Sequence, residues 1–166
     1  MESRFNEKPI VMIDMDGVLS DFERKVSELL GVPMRTAPKG KVWGKIGYYD
    51  KNVEPFFESL PKMPDADVLW DFVIKNFTQY NILTATGTMP RNVVEQKHRW
   101  MANHYGSDVI VKTVQSSKEK AKYANPGTIL IDDRMASIEP WRKAGGIGVL
   151  HTSAADSIAQ LREIIS

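Results

Sequence analysis

The chain has 166 residues, of which 42% are hydrophobic and 26% charged, and its formal net charge is +1. That balance fits one globular domain with a small insertion, and it lacks the basic excess of a chain that grips a nucleic-acid polymer through many phosphates. There is no cysteine, which excludes disulfides, thiolate metal sites and cysteine nucleophiles. Met1 to Lys8 is polar with no visible signal peptide, and no apolar run approaches membrane-spanning length. The expectation is therefore a soluble, cytoplasmic protein with no membrane partner.

In chain order, residues 10–15 read as a first strand, an apolar run that drives straight into Asp14-Met15-Asp16-Gly17. Asp21 to Leu30 carries Phe22, Val26, Leu29 and Leu30 near helical spacing, and Gly31 and Pro33 stop it. Residues 33–64 change character: Gly and Pro recur around Trp43, Tyr48, Tyr49, Phe56 and Phe57, which suggests an insertion of short helices and loops. Helices are predicted at 67–76, 91–104, 118–124, 137–144 and 157–165, and strands at 80–83, 109–114, 128–131 and 147–150. Strands alternating with helices predict a parallel sheet covered on both faces, with right-handed crossovers.

Three of these strands end in polar groups: Asp14 and Asp16, then Thr84, then Asp132 and Asp133, with Lys118 or Lys120 just before the last. In a parallel sheet those ends share one edge, so residues distant in sequence converge there. The residue types suit phosphoryl transfer. One carboxylate can attack phosphorus, and a second can protonate the leaving oxygen and then activate water. A hard cation, Mg²⁺, needs oxygen ligands, and a lysine with a hydroxyl offsets charge on the transferring group. Each residue also has a plainer reading: Asp14 and Asp16 as a solvated turn, Thr84 as a strand-end hydroxyl, Asp133 as a helix cap, the lysines as a solvated helix face.

Asp14-Met15-Asp16-Gly17-Val18, Thr84, a lysine at 118–120 and Leu130-Ile131-Asp132-Asp133 resemble the four ordered motifs of the haloacid dehalogenase superfamily phosphatases. Within that superfamily the chain also resembles the 5'(3')-deoxyribonucleotidases, through Phe56-Phe57-Glu58-Ser59-Leu60-Pro61, Lys97-His98-Arg99-Trp100 and the extension of the last motif to Arg134. The 33–55 stretch departs from that pattern. The resemblance implies an α/β fold, a Rossmann-like three-layer sandwich with a parallel sheet and a small helical cap inserted after the first strand. The catalytic core would be 1–21 with 79–166, and the cap 22–78 including linking helices.

The resemblance also implies roles. Asp14 would be the nucleophile and Asp16 the general acid/base. Asp14, Asp132 and the Asp16 carbonyl would hold Mg²⁺, with Asp133 supporting that shell. Thr84, the Ala85 amide and Lys120, preferred over Lys118, would hold the phosphate. Gly17, Phe22, Tyr48, Phe57 and Arg134 would contact the substrate, with the aromatics either stacking a base or forming the core of the insertion. The expected activity is Mg²⁺-dependent hydrolysis of phosphomonoesters, with nucleoside monophosphates as small-molecule substrates and nucleic acid disfavoured; a homodimer is left open. The alternatives are sugar phosphates or polynucleotide ends as substrates, or a non-catalytic phosphate-binding module.

Overall fold

In the computed structural model, which describes residues 8–166, five parallel strands form one sheet. They are β1 (Ile10–Ile13), β2 (Tyr80–Ala85), β3 (Val111–Val114), β4 (Thr128–Asp132) and β5 (Ile147–Leu150), in the order β3-β2-β1-β4-β5. The polar start at 1–7, on which the reading of the amino terminus rests, lies outside the described residues. β1 sits in the middle, and Val11, Ile13, Ile129 and Ile131 are fully buried, as strands covered on both faces require. This is the three-layer α/β arrangement expected from the alternation of strands and helices.

Register places the strand ends together. Ile13 pairs with Ile82 on one side and with Ile131 on the other. Asp14, Thr84 and Asp132 therefore emerge at the same carboxyl edge.

Among the described residues there are six α-helices: α1 (Phe22–Leu30), α2 (Lys39–Asn52), α3 (Ala66–Asn76), α4 (Val93–Tyr105), α5 (Met135–Lys143) and α6 (Ala154–Ile165). α1 starts where the Asp21 carboxylate accepts the Arg24 amide, and ends at Gly31, whose φ of 74° is left-handed. The segment expected to hold only short helices contains the 14-residue α2, despite Gly40, Gly44 and Gly47. Burial of Val42 and Ile46 holds this helix in place, and tertiary packing of that kind overrides weak intrinsic propensity. The predicted helix at 118–124 is a 3-10 turn over Ser117–Tyr123. α6 begins three residues earlier than predicted, because the Ser153 hydroxyl accepts the Asp156 amide and caps it there.

Residues 22–60 pack their aromatic rings together. Phe22 meets Trp43, Phe56 and Phe57, and Tyr49 meets Phe56, at ring separations of 5.8–6.2 Å. Two connecting segments enter and leave this region side by side: the Asp21 amide donates to the Pro61 carbonyl (2.8 Å) and the Met63 amide to the Leu19 carbonyl (2.7 Å). α4 clamps the same region from the sheet side. The carboxamide oxygen of fully buried Gln96 accepts the Phe57 amide (2.8 Å), its nitrogen donates to Asp50 (2.8 Å) and Asn92 (2.9 Å), and the Trp100 indole donates to the Leu60 carbonyl (2.8 Å).

Candidate active site

At the carboxyl edge, β1 and β4 are adjacent, so Asp14 and Asp132 face each other. Both are buried. Lys120, delivered by the 3-10 turn before β4, lies between them, with Nζ donating to Asp14 Oδ1 (2.9 Å) and Asp132 Oδ2 (2.7 Å). The other oxygen of Asp132 accepts the Arg134 amide (2.9 Å). Asp133 turns its carboxyl toward the same spot, and Asp14, Asp132 and Asp133 each offer an oxygen within 4.8 Å of the others.

Gly17 closes this corner. Its φ is +86°, and a Cβ there would lie 2.0 Å from Asp133 Oδ2. Only glycine satisfies both the backbone and the space.

The second half of the site lies toward β2. Thr84 is fully buried. Lys97, on α4, buries its ammonium among Thr84 Oγ1 (2.8 Å), Asp16 Oδ2 (3.0 Å) and the Ala85 carbonyl (3.1 Å). The other Asp16 oxygen accepts the Ser20 hydroxyl (2.9 Å). The carboxylate of Asp16 is thus held apart from the Asp14–Asp132–Asp133 group.

The carboxylates outnumber the cations here, and their protonation reflects it. Loss of solvation, and then Asp132, raise the Asp14 pKa against the pull of Lys120. Asp133 is exposed as a residue, yet desolvation of its carboxyl, followed by the charges of Asp14 and Asp132, pushes it up to about 8. Burial alone would lower the Lys120 pKa, but Asp14 and Asp132 outweigh it and hold it above its ordinary value. Three hard oxygen donors crowded with surplus negative charge suit a divalent cation such as Mg²⁺. The residues present fit that ion.

The candidates read from sequence are not all brought together. Asp14, Asp16, Gly17, Thr84, Ala85, Lys120 and Asp132 gather at the sheet edge. Lys118 is exposed on the same 3-10 turn. Phe22 and Phe57 lie stacked (5.9 Å, 19°), and Lys97 Nζ sits 5.1 Å from the Phe57 ring centre. Tyr48 is elsewhere, 67% exposed on the outer side of α2. Arg134 contributes its amide to Asp132, and its side chain is in the exposed opening turn of α5.

Lys97 was quoted in sequence only as part of a matching stretch, with no place at the strand ends. The spacing did carry a signal: Val93, Gln96, Lys97, Trp100 and Met101 follow i, i+3, i+4, i+7, i+8 and share one face of α4, so a lysine on the face of Trp100 turns inward. Gln96 shares that face and is likewise absent from the residues read from sequence.

No family model matches the chain. A protein of Vibrio phage KVP40 named "Putative 5'(3')-deoxyribonucleotidase" is 29% identical to it over 130 residues, which is 77% of this chain and 68% of the phage protein. A haloacid dehalogenase-like family hydrolase from Streptococcus pneumoniae superposes with a TM-score of 0.52 at 14% identity, covering 93% of this chain and 91% of the other. A HAD family hydrolase from Deinococcus radiodurans R1, solved with bound phosphate and sodium, gives 0.53 at 12% identity, over 95% and 89%. The chain has the haloacid dehalogenase-like fold that its four motifs imply.

Proposed function

We propose that this protein is a Mg²⁺-dependent phosphomonoester hydrolase that works through an aspartyl-phosphate on Asp14, with nucleoside monophosphates as its substrates. The observation that carries this reading is the convergence of Asp14, Asp132, Asp133 and Lys120 at one sheet edge, with the Thr84–Lys97–Asp16 group beside it.

Asp14 attacks phosphorus, forming the acyl-phosphate bond as the ester P–O bond breaks. Asp16 donates its proton to the departing oxygen, which leaves as an alcohol. Asp16 then takes a proton from water as the water oxygen attacks the same phosphorus. Inorganic phosphate departs and the Asp14 carboxylate is restored. Lys97 and the Thr84 hydroxyl orient and neutralise phosphoryl oxygens on one side, and Lys120 keeps Asp14 and Asp132 in place on the other. Asp14, Asp132 and Asp133, with the Asp16 carbonyl, would hold Mg²⁺, which supplies positive charge against the phosphate and the carboxylates.

The nucleotide part of the reading rests on two supports. Phe22, half-buried, stacks on buried Phe57 beside Lys97, and its exposed part would meet the base of a nucleoside leaving group. The phage relative carries a nucleotidase name. Residues 22–78 then serve as the cap that presents these rings, and the core is 1–21 with 79–166.

The test is phosphate release across nucleoside 5'- and 3'-monophosphates, sugar phosphates and an aryl phosphate, with magnesium and with a chelator. Magnesium-dependent release, largest for nucleotides, is expected. Release from sugar phosphates alone overturns the substrate class; no release from any ester overturns the hydrolase.

A further inference from the structure

The overall charge of +1 conceals a local excess. Residues 29–49 hold Arg35, Lys39, Lys41 and Lys45 and not one Asp or Glu. All four cations are exposed. Among the described residues none of them is in an ion pair. Removing this stretch leaves the rest of the chain net negative.

The geometry of α2 organises part of that charge. Lys41, Gly44, Lys45 and Tyr48 follow the i, i+3, i+4, i+7 spacing and share one face, while Val42 and Ile46 are buried on the other. Nothing lies within 4 Å of where a Gly44 Cβ would stand. The absent side chain leaves a recess of about 380 Å³ lined by Lys41, Gly44, Lys45 and Tyr48. Tyr48 rises at its end with 67% of its surface in water. α2 spans roughly 21 Å at 1.5 Å per residue.

We infer that the outer face of α2 is a binding surface for single-stranded nucleic acid. Lys41 and Lys45 flank the recess and meet successive phosphates, Lys39 and Arg35 extend the cationic track beyond it, and the Tyr48 ring offers a stacking platform for a base. A flexible single strand suits a short helical face better than a rigid duplex does. A lipid surface is disfavoured, because Val42 and Ile46 are spent on the core, and the exposed aromatics of α2, Trp43 and Tyr48, stand five residues apart on different faces and form no continuous apolar face to enter a bilayer. An acidic peptide would use the lysines and leave the ring idle. The surface is independent of the hydrolase reading, because neither Asp14 nor any other residue at the sheet edge takes part.

The test measures anisotropy of a labelled oligothymidylate of about twelve nucleotides without a terminal phosphate monoester, so that the catalytic pocket has no ligand. At about 50 mM salt the dissociation constant should fall below about 100 µM, and log affinity should decline with log salt at a slope of about −2 to −3 for three or four phosphate contacts. Lys41→Glu/Lys45→Glu should weaken binding at least tenfold, and Tyr48→Ala about fivefold or more, a stacking loss of about 1 kcal/mol. Lys75→Glu, an exposed lysine on α3, should have under a third of the effect of the α2 pair. Circular dichroism confirms that each variant is folded. Absence of binding overturns the inference, and so does equal weakening by Lys75→Glu. Binding to vesicles of phosphatidylserine and phosphatidylcholine, without binding to the oligonucleotide, overturns it in favour of a membrane.

Discussion

Two charged regions of this molecule obey opposite rules. At the sheet edge, the carboxylates of Asp14, Asp16, Asp132 and Asp133 outnumber the cations, and Lys97 and Lys120 are drawn inside until each is only 1% exposed. On α2 the surplus is positive, and every cation stays in water. In the first region the fold supplies the field and confines it, so small displacements carry large energies. In the second, water and salt screen the field, and only a polyanion that touches several charges at once would feel it. Net charge averages the two and describes neither.

Asp14→Asn breaks the buried region most sharply. Removing the nucleophile should lower turnover of any substrate by about a thousandfold or more, while the melting temperature holds or rises as crowding with Asp132 and Asp133 eases. Phosphate release and a thermal melt on one preparation check this. Residual activity within tenfold of the parent, by the same principle of nucleophile loss, would remove Asp14 from its role.

Lys120→Met comes next. It leaves Asp14 and Asp132 facing each other without their shared cation, which should cost about 3–5 kcal/mol of stability and about a hundredfold in turnover. Exposed Lys118→Ala should stay within about 0.5 kcal/mol of the parent. Urea unfolding separates the two. Gly17→Ala tests the same corner through sterics alone: the added methyl must displace the Asp133 carboxyl and accept a positive φ, at a cost of about 1–3 kcal/mol. A neutral Gly17→Ala would mean that Asp133 has room to move.

The buried half of the site was legible in the sequence for a physical reason. Strands of a parallel sheet end in register, so Asp14-Met15-Asp16-Gly17, Thr84 and Asp132-Asp133 had to share an edge once the strands were recognised. What approached that edge from a helix was only partly legible. Gln96 and Lys97 fall on the same face of α4 as Val93, Trp100 and Met101, so helical spacing turns them inward but does not say which groups meet them. Their partners are Asp50, Asp16 and Thr84, 46, 81 and 13 residues away in sequence. α2 was misjudged as short for a related reason: its glycines argue against a helix locally, while Val42 and Ile46 secure it through contacts beyond its own sequence.

Gln96→Ala tests how firmly the aromatic region is tied to the core. The variant strands the Phe57 amide and one partner of Asp50, at about 1–3 kcal/mol. Amide exchange at Phe57 should accelerate well before that of the β1 strand. On the nucleotide reading, KM should rise several-fold more for a nucleotide than for an aryl phosphate, since the latter does not need Phe57. Equal exchange at Phe57 and β1 would mean that the ring packing holds the segment without Gln96.

The smallest expected effect lies away from both regions, at the seam between α3 and α4, where Lys62 and the Tyr105 hydroxyl both donate to Asp67 (2.9 and 2.8 Å) and His104 packs on Trp100 (4.4 Å). Burial, and then the Lys62 charge, hold the His104 pKa below its ordinary 6.5. The unfolded chain therefore binds a proton just below pH 6.5 that the folded chain refuses, and stability must fall as pH drops through that window. Asp67 has a lowered pKa, through its bonds to Lys62 and Tyr105 first, so its contribution is intact in this range and is lost only below 3.8. Buried His151 bends the curve the same way as His104, so the comparison that isolates the seam is parent against His104→Gln. The parent's melting temperature should fall more steeply than the variant's between pH 6.5 and about 5. Parallel curves would show that the seam admits a charged His104 at no cost, leaving Lys62 free to swing away from it.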